Sequence, residues 1–155
     1  MTEITSLLSP GAIAAGGAVS SSKALFQLLG QMAEREYRLS AGDVVDKLVE
    51  RERLGSTGFG GGVAIPHGKL DGLDQVVGIF VQLSNPVDLN AIDDLPVDLI
   101  FCLLSPPDAG SEHLKALAQV SRWLRDPGFV AKLRGAGSAD AIYALFAASQ
   151  TRDAA

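Results

Sequence analysis

VVGIFVQLSNPVDLNAIDDLPVDLIFCLL, residues 76–104, sets two apolar runs on either side of a polar connection. The first run, Val76–Leu83, is rich in β-branched residues, and the second, Val97–Leu104, is almost wholly apolar. Each reads as a strand. Neither alternates cleanly between apolar and polar, so each is expected to be covered on both faces. The connection carries Asn-Pro, Asp-Asp and Leu-Pro pairs, the chemistry of turns, and Asp93 and Asp94 are read as turn residues. Cys102 lies inside the second run and reads as a buried strand thiol. It is the one cysteine of the chain, which excludes an internal disulfide framework.

Helical patterns flank this centre. Upstream, Ser20–Ser22 can supply an N-cap, and Leu25, Leu28, Leu29 and Met32 recur at helical spacing, giving a helix from about Ser22 to Tyr37. Ser40, three residues before Asp43, opens a second helix with the stripe Ala41, Val44, Val45 and Leu48. It is expected to run to about Arg53, with Gly55 ending it and Arg51 in its last turn. Residues 4–19 are small and surround a Pro-Gly pair, which predicts a loop with a short edge strand near Ala12–Ala14. Downstream, Ser111 is read as the N-cap of a third helix whose Leu114, Leu117 and Leu124 form a core stripe. Pro127 interrupts that pattern, a short helix follows through Val130–Leu133, and Ser138 caps a last helix bearing Ile142, Leu145 and Phe146. Residues 149–155 read as a flexible tail. Helices, then strands, then helices predict an α/β fold: a small mixed β-sheet flanked by helices on both faces.

The length of 155 residues suits a single domain, 1–155, and no internal repeat is visible. Apolar residues at 47% and charged residues at 20% are the balance of a soluble globular chain. A formal net charge of −5 with no basic stripe argues against nucleic acid and against an anionic membrane surface. No apolar run reaches the roughly 18 residues of a spanning helix. The first residues lack a positive segment followed by an apolar one, so no signal peptide is read, and the expected location is cytoplasmic.

One stretch is not absorbed by the fold. GSTGFGGGVAIPHGKL, residues 55–70, places six glycines and Pro66 around His67. A phosphate-cradling nucleotide loop fails on spacing: with four residues between its first glycine and the Gly68-Lys69 pair, that glycine falls where Val63 stands, and Leu70 follows in place of a hydroxyl. A dinucleotide fingerprint fails too, because its last glycine also falls on Val63 and the stretch follows a helix. Two histidines and one cysteine offer no zinc spacing, so no metal is expected. Ser56 is not in a hydrolase elbow. The histidine itself remains. Imidazole is a good nucleophile at neutral pH. If it accepts a phosphoryl group, its surroundings must aim one nitrogen, supply donors to three oxygens and admit a partner protein. Pro66 stiffens the approach, glycines offer backbone N–H groups and clear space, and Arg51 is a side-chain donor. His113, at the start of a helix, is a second candidate.

Arg51, Gly58, Gly60, Ala64, Pro66, His67 and Gly68, within RERLGSTGFGGGVAIPHGKL, resemble the phosphorylation signature of the fructose/mannitol-type enzyme IIA of the bacterial phosphotransferase system, and more narrowly of its nitrogen-regulatory form. The likeness continues through residues 76–104 and SEHLKAL, covering roughly Ile4 to Leu145. The resemblance implies a mixed sheet flanked by helices. It implies a phosphoryl group received on His67, at Nε2, from the small phosphocarrier protein, ultimately from phosphoenolpyruvate through enzyme I. By position it implies His113 and Arg51 as phosphoryl stabilisers, no cofactor, and regulatory targets such as potassium transporters or sensor kinases that distinguish the two phosphorylation states. No stretch of the chain resembles a sugar-specific IIB or IIC region, which favours regulation over sugar uptake. Ser56 and Thr57, with Gly58, Gly60, Pro66 and Gly68, make the expected phosphoryl-site loop, although both hydroxyls equally suit turn caps. Lys69 reads as a surface charge. Three other readings stay open: a sugar-specific enzyme IIA passing phosphate to a IIB component, a binding module that takes no phosphate, and a metallohydrolase using both histidines.

Overall fold

The structure, a computed structural model, describes the backbone of residues 7–154 and the side chains of residues 7–149. Its elements run β1 (Leu8–Gly17), α1 (Ser22–Tyr37), α2 (Ala41–Arg53), β2 (Gly58–Gly60), β3 (Val63–Ala64), β4 (His67–Lys69), β5 (Val77–Val87), β6 (Val97–Ser105), α3 (Ser111–Leu124), α4 (Pro127–Gly135) and α5 (Ala139–Ala154). The sheet is mixed, in the order β1-β5-β6-β3-β2, with β4 pairing on β6 beyond β3. β5 and β6 are antiparallel, as are β2 and β3, whereas β1 lies parallel to β5, and β3 and β4 lie parallel to β6. Among the described residues no helix is long and apolar enough to cross a membrane.

The two apolar runs are the central strands, as their composition predicts. All of β6 except Asp98 is buried. Alternation sends Phe80 and its partner Phe101 to one face of the sheet. There Phe146 of α5 lies edge-on to both and to Phe129 of α4, and tilted against Trp123 of α3, with ring centroids between 5.2 and 5.5 Å. α1 and α2 pack on each other and close the sheet elsewhere, α1 against β1 and β5 and α2 against β4. Tyr37, at the end of α1, donates to Gly78 O at 2.6 Å. Its burial there pushes its phenol pKa up to about 12.

Several boundaries depart from expectation. β1 is a full edge strand rather than a short one. Pro10 and Gly11 sit in a bulge between the Leu8–Gly78 and Ile13–Phe80 pairs, and an edge strand tolerates that proline. The N-cap of α3 is Gly110, at φ 54°, and Ser111 is already helical. Pro127 opens α4 instead of merely breaking a helix: it stands in the first turn behind Asp126, whose carboxylate accepts from Gly128 N and Phe129 N. Leu114 is not core; it is 66% exposed. Leu124 is core as expected and Leu117 is half-buried against it, but the rest of the buried face of α3 is His113, Ala116, Gln119, Val120 and Trp123, one position off Leu114 and Leu117. The expected caps Ser21, Ser40 and Ser138 do accept from the amides three residues on. Ser149, the first residue of the expected flexible tail, is buried in α5; the backbone of 150–154 ends that helix, and the other side chains of the expected tail lie outside the described residues.

Candidate functional site

α2 ends on a carboxylate clamp. Glu52 accepts from Thr57 N at 3.2 Å and from the Thr57 hydroxyl, while Ser56 Oγ donates to Leu89 O at 2.6 Å and accepts from Gly58 N. Both hydroxyls are thus spent on holding the loop, the turn-capping alternative for these residues. Gly58 is pressed against Ala91, where a Cβ would come within 2.9 Å of the alanine's own. Gly60, Gly61 and Gly62 follow with φ of 106°, 69° and 80°, the left-handed values that favour glycine. They turn β2 into β3. Gly61 N donates to Asp93, and Gly61 O accepts from Arg134, which also pairs with Asp98 at 2.8 Å. Ser56, Thr57, Gly58 and Gly60 therefore support the site from behind. None of them lines the cavity that holds the two histidines.

After that hairpin the chain runs on along the same edge of β6. Ile65 N reaches back to Thr57 O and Pro66 O accepts from Leu103 N, so both sides of Pro66 are pinned. β4 then starts at His67, in register with Leu103. His67 Nδ1 lies 2.9 Å from Ile65 O. A carbonyl only accepts, so Nδ1 carries the proton, and in the neutral ring Nε2 keeps its lone pair. Burial first, and then the nearby Arg51 charge, lower the His67 pKa, against the raising effects of the Ile65 bond and Glu52. The ring is therefore neutral at neutral pH.

Gly68 explains how α2 comes so near. A Cβ there would stand 3.2 Å from Lys47 Cβ, so the glycine lets the helix pack directly on β4. Arg51 lies one turn after Lys47 on the same side of α2. Its Nη1 donates to Gly55 O at 2.8 Å, which fixes the guanidinium beside the loop.

From the other side, the buried His113 stands in the first turn of α3, with its ring centroid 5.5 Å from that of His67 and the planes tilted by 53°. Its Nδ1 is 2.5 Å from Ser105 Oγ. Burial, followed by the neighbouring His67 and Lys69, lowers its pKa as well. A cavity of about 280 Å³ joins both histidines to Lys47, Glu50, Arg51, Leu54, Gly68 and Lys69. Three cations against one carboxylate line it, although the chain as a whole is acidic. A larger cleft of about 750 Å³, between Phe59 and α4, contains neither histidine. Among the described residues no group of three or more His, Cys, Asp or Glu side chains is placed to hold a metal ion.

His67, His113 and Arg51 are thus brought together, as the sequence predicts. Ser105 and Glu52 were missed. Ser105 had a visible signal, a polar residue closing an apolar strand, whereas Glu52 was hidden in the charged run VERER.

The chemistry at hand is a neutral imidazole with an outward lone pair, a second imidazole, and positive charge suited to an anion. Comparison with known proteins shows the family. Residues 6–149 match the family model described as "Phosphoenolpyruvate-dependent sugar phosphotransferase system, EIIA 2". A "Nitrogen regulatory protein" of Bradyrhizobium diazoefficiens is 44% identical over 144 residues, 93% of this chain and 94% of that one. One from Escherichia coli is 40% identical over 126 residues, covering 81% and 77%. The crystal structure of Nitrogen Regulatory Protein IIA-Ntr from Neisseria meningitidis superposes with a TM-score of 0.85 at 40% identity, covering 90% of this chain and 96% of that one. IIA mannitol from Escherichia coli, at 19% identity, 88% and 96% coverage and a TM-score of 0.74, shares the fold. With its mixed sheet, its flanking helices and a family match over nearly its whole length, the chain belongs to the EIIA 2 family of the phosphoenolpyruvate-dependent phosphotransferase system.

Proposed function

We propose that this protein is a phosphohistidine carrier of nitrogen-regulatory type and that His67 accepts the phosphoryl group at Nε2. The observation that carries the reading is the His67 Nδ1–H bond to Ile65 O, which leaves the Nε2 lone pair free beside a cationic cavity. The donor is the phosphohistidine of a phosphocarrier protein, itself charged from phosphoenolpyruvate by enzyme I. As the His67 Nε2–P bond forms, the donor's N–P bond breaks and its electron pair returns to the donor imidazole. Little covalent work falls to the protein in such a transfer, so positioning and charge do most of it. Arg51 and His113 supply donors to the phosphoryl oxygens from opposite sides, and Lys47 and Lys69 add a positive field. Leu54, 84% exposed, and Leu114 flank the site and suit a partner protein's approach. The names of the relatives support a regulatory role, in which targets such as potassium transporters or sensor kinases would distinguish the phosphorylated from the free form.

Incubation with enzyme I, phosphocarrier protein and labelled phosphoenolpyruvate tests this. The protein should take up one acid-labile, alkali-stable phosphate, and His67→Ala should take none. A His67→Ala protein that is phosphorylated to the same extent overturns the reading. A wild type that takes no phosphate returns the chain to the class of binding modules.

A further inference from the structure

Ser105 is the last residue of β6, is 0% exposed, and follows six apolar residues in a row. A hydroxyl so deep needs a partner. Its hydrogen bond among the described residues is to His113 Nδ1, at 2.5 Å. The direction of that bond follows from counting protons. If Nδ1 carried the hydrogen and donated it, the hydroxyl proton would be left buried with no acceptor, which is costly. If the hydroxyl donates, its proton and the Nδ1 lone pair satisfy each other. The neutral His113 ring then carries its hydrogen on Nε2.

The geometry points to Ser105 as a positioning residue that fixes His113 in its Nε2–H form. This rests on the reading of His67 as phosphoryl acceptor, and it assigns the neighbouring ring the opposite task. Ile65 O makes His67 Nε2 a lone pair, and Ser105 makes His113 Nε2 a donor. A nucleophile and a hydrogen-bond donor therefore stand with ring centroids 5.5 Å apart. The same strand pair sets both. β4 lies along β6 with His67 opposite Leu103 and Lys69 opposite Ser105, and Leu70 N donates to Ser105 O at 2.8 Å. Ser105 is thus held at a fixed offset from His67 and passes that offset to a side chain on a different element. Without the hydroxyl, His113 is free to rotate or to exchange tautomers, and its donor is present only part of the time.

Three variants separate the hydroxyl from its volume. Ser105→Thr keeps it, Ser105→Val has nearly the shape of threonine without it, and Ser105→Ala adds no bulk. Two readouts apply: the rate of phosphoryl transfer from the phosphorylated phosphocarrier, and the ¹⁵N resonances of the His113 ring in the unphosphorylated protein. We expect Ser105→Thr to stay near wild type. Ser105→Val and Ser105→Ala should slow transfer by about tenfold or more, the scale of losing a partner that orients a functional histidine. Their His113 spectra should lose the pure Nε2–H pattern, while His67 keeps its Nδ1–H pattern. A Ser105→Val protein that matches Ser105→Thr in rate and keeps the wild-type His113 spectrum overturns the assignment, as does a wild-type His113 protonated at Nδ1. If the wild type takes no phosphate, the carrier reading fails, and the ¹⁵N pattern alone decides the role of Ser105.

Discussion

At the scale of single residues, the site is a matter of which nitrogen holds a proton. His67 works as a nucleophile only while Nε2 is unprotonated, and burial lowers its pKa below the ordinary value near 6.5. The sign follows directly. A lowered pKa keeps the lone pair available at neutral pH and withdraws it only in acid. The rate of phosphate uptake from a fixed concentration of phosphorylated donor should therefore be flat from pH 8 to 7. It should fall by about tenfold per pH unit once the pH is below that pKa. A rate already falling between pH 8 and 7 would contradict the buried, neutral ring. His67 was legible because glycines and Pro66 frame it in sequence. The burial of His113 was not: the apolar pattern of α3 drew attention to Leu114, and the buried face proved to be the one carrying a histidine and a glutamine. A polar side chain at a buried helical position is the signal that periodicity of apolar residues alone passes over.

At the scale of elements, the glycines divide by task. Gly68 lets α2 approach β4, whereas Gly60–Gly62 make a hairpin tied by Asp93 and Arg134 away from the histidines. The sequence displays them as one run, and only the fold separates them. Gly62→Ala places a Cβ 2.4 Å from Arg134 Nη2 at a φ of +80°. It should destabilise the protein by about 1–3 kcal/mol in urea unfolding, with phosphate transfer per folded molecule nearly unchanged. A large loss of transfer at full stability would show that the hairpin belongs to the site. Other elements were read with uneven success for local reasons. Side-chain caps at Ser21, Ser40 and Ser138 announce helices plainly. Gly110 caps α3 with backbone alone, and β1 hides its strand behind small residues and a proline because an edge strand makes fewer demands.

At the scale of the whole molecule, the sheet is a platform between two functions of packing. One face is locked by the aromatic cluster around Phe146, and α2, β4 and the start of α3 converge at the far end of β6 to build the site. Truncating the fully buried Phe146 to alanine should cost about 3–5 kcal/mol, read from denaturant unfolding. A cost below 1 kcal/mol would mean that the cluster is not the anchor of that face. The fold class was legible because two near-continuous apolar strands have to be covered on both sides. The meeting of His67 with His113 was not legible from spacing, since 46 residues separate them and only the parallel pairing of β4 with β6 brings them together. The central claim, that the fold presents His67 Nε2 to an incoming phosphoryl group, is tested most directly by ¹H–¹⁵N NMR of the phosphorylated protein. The phosphate should reside on His67 Nε2, with Nδ1 still protonated against Ile65 O. Phosphate on Nδ1 of His67, or on His113, would contradict it.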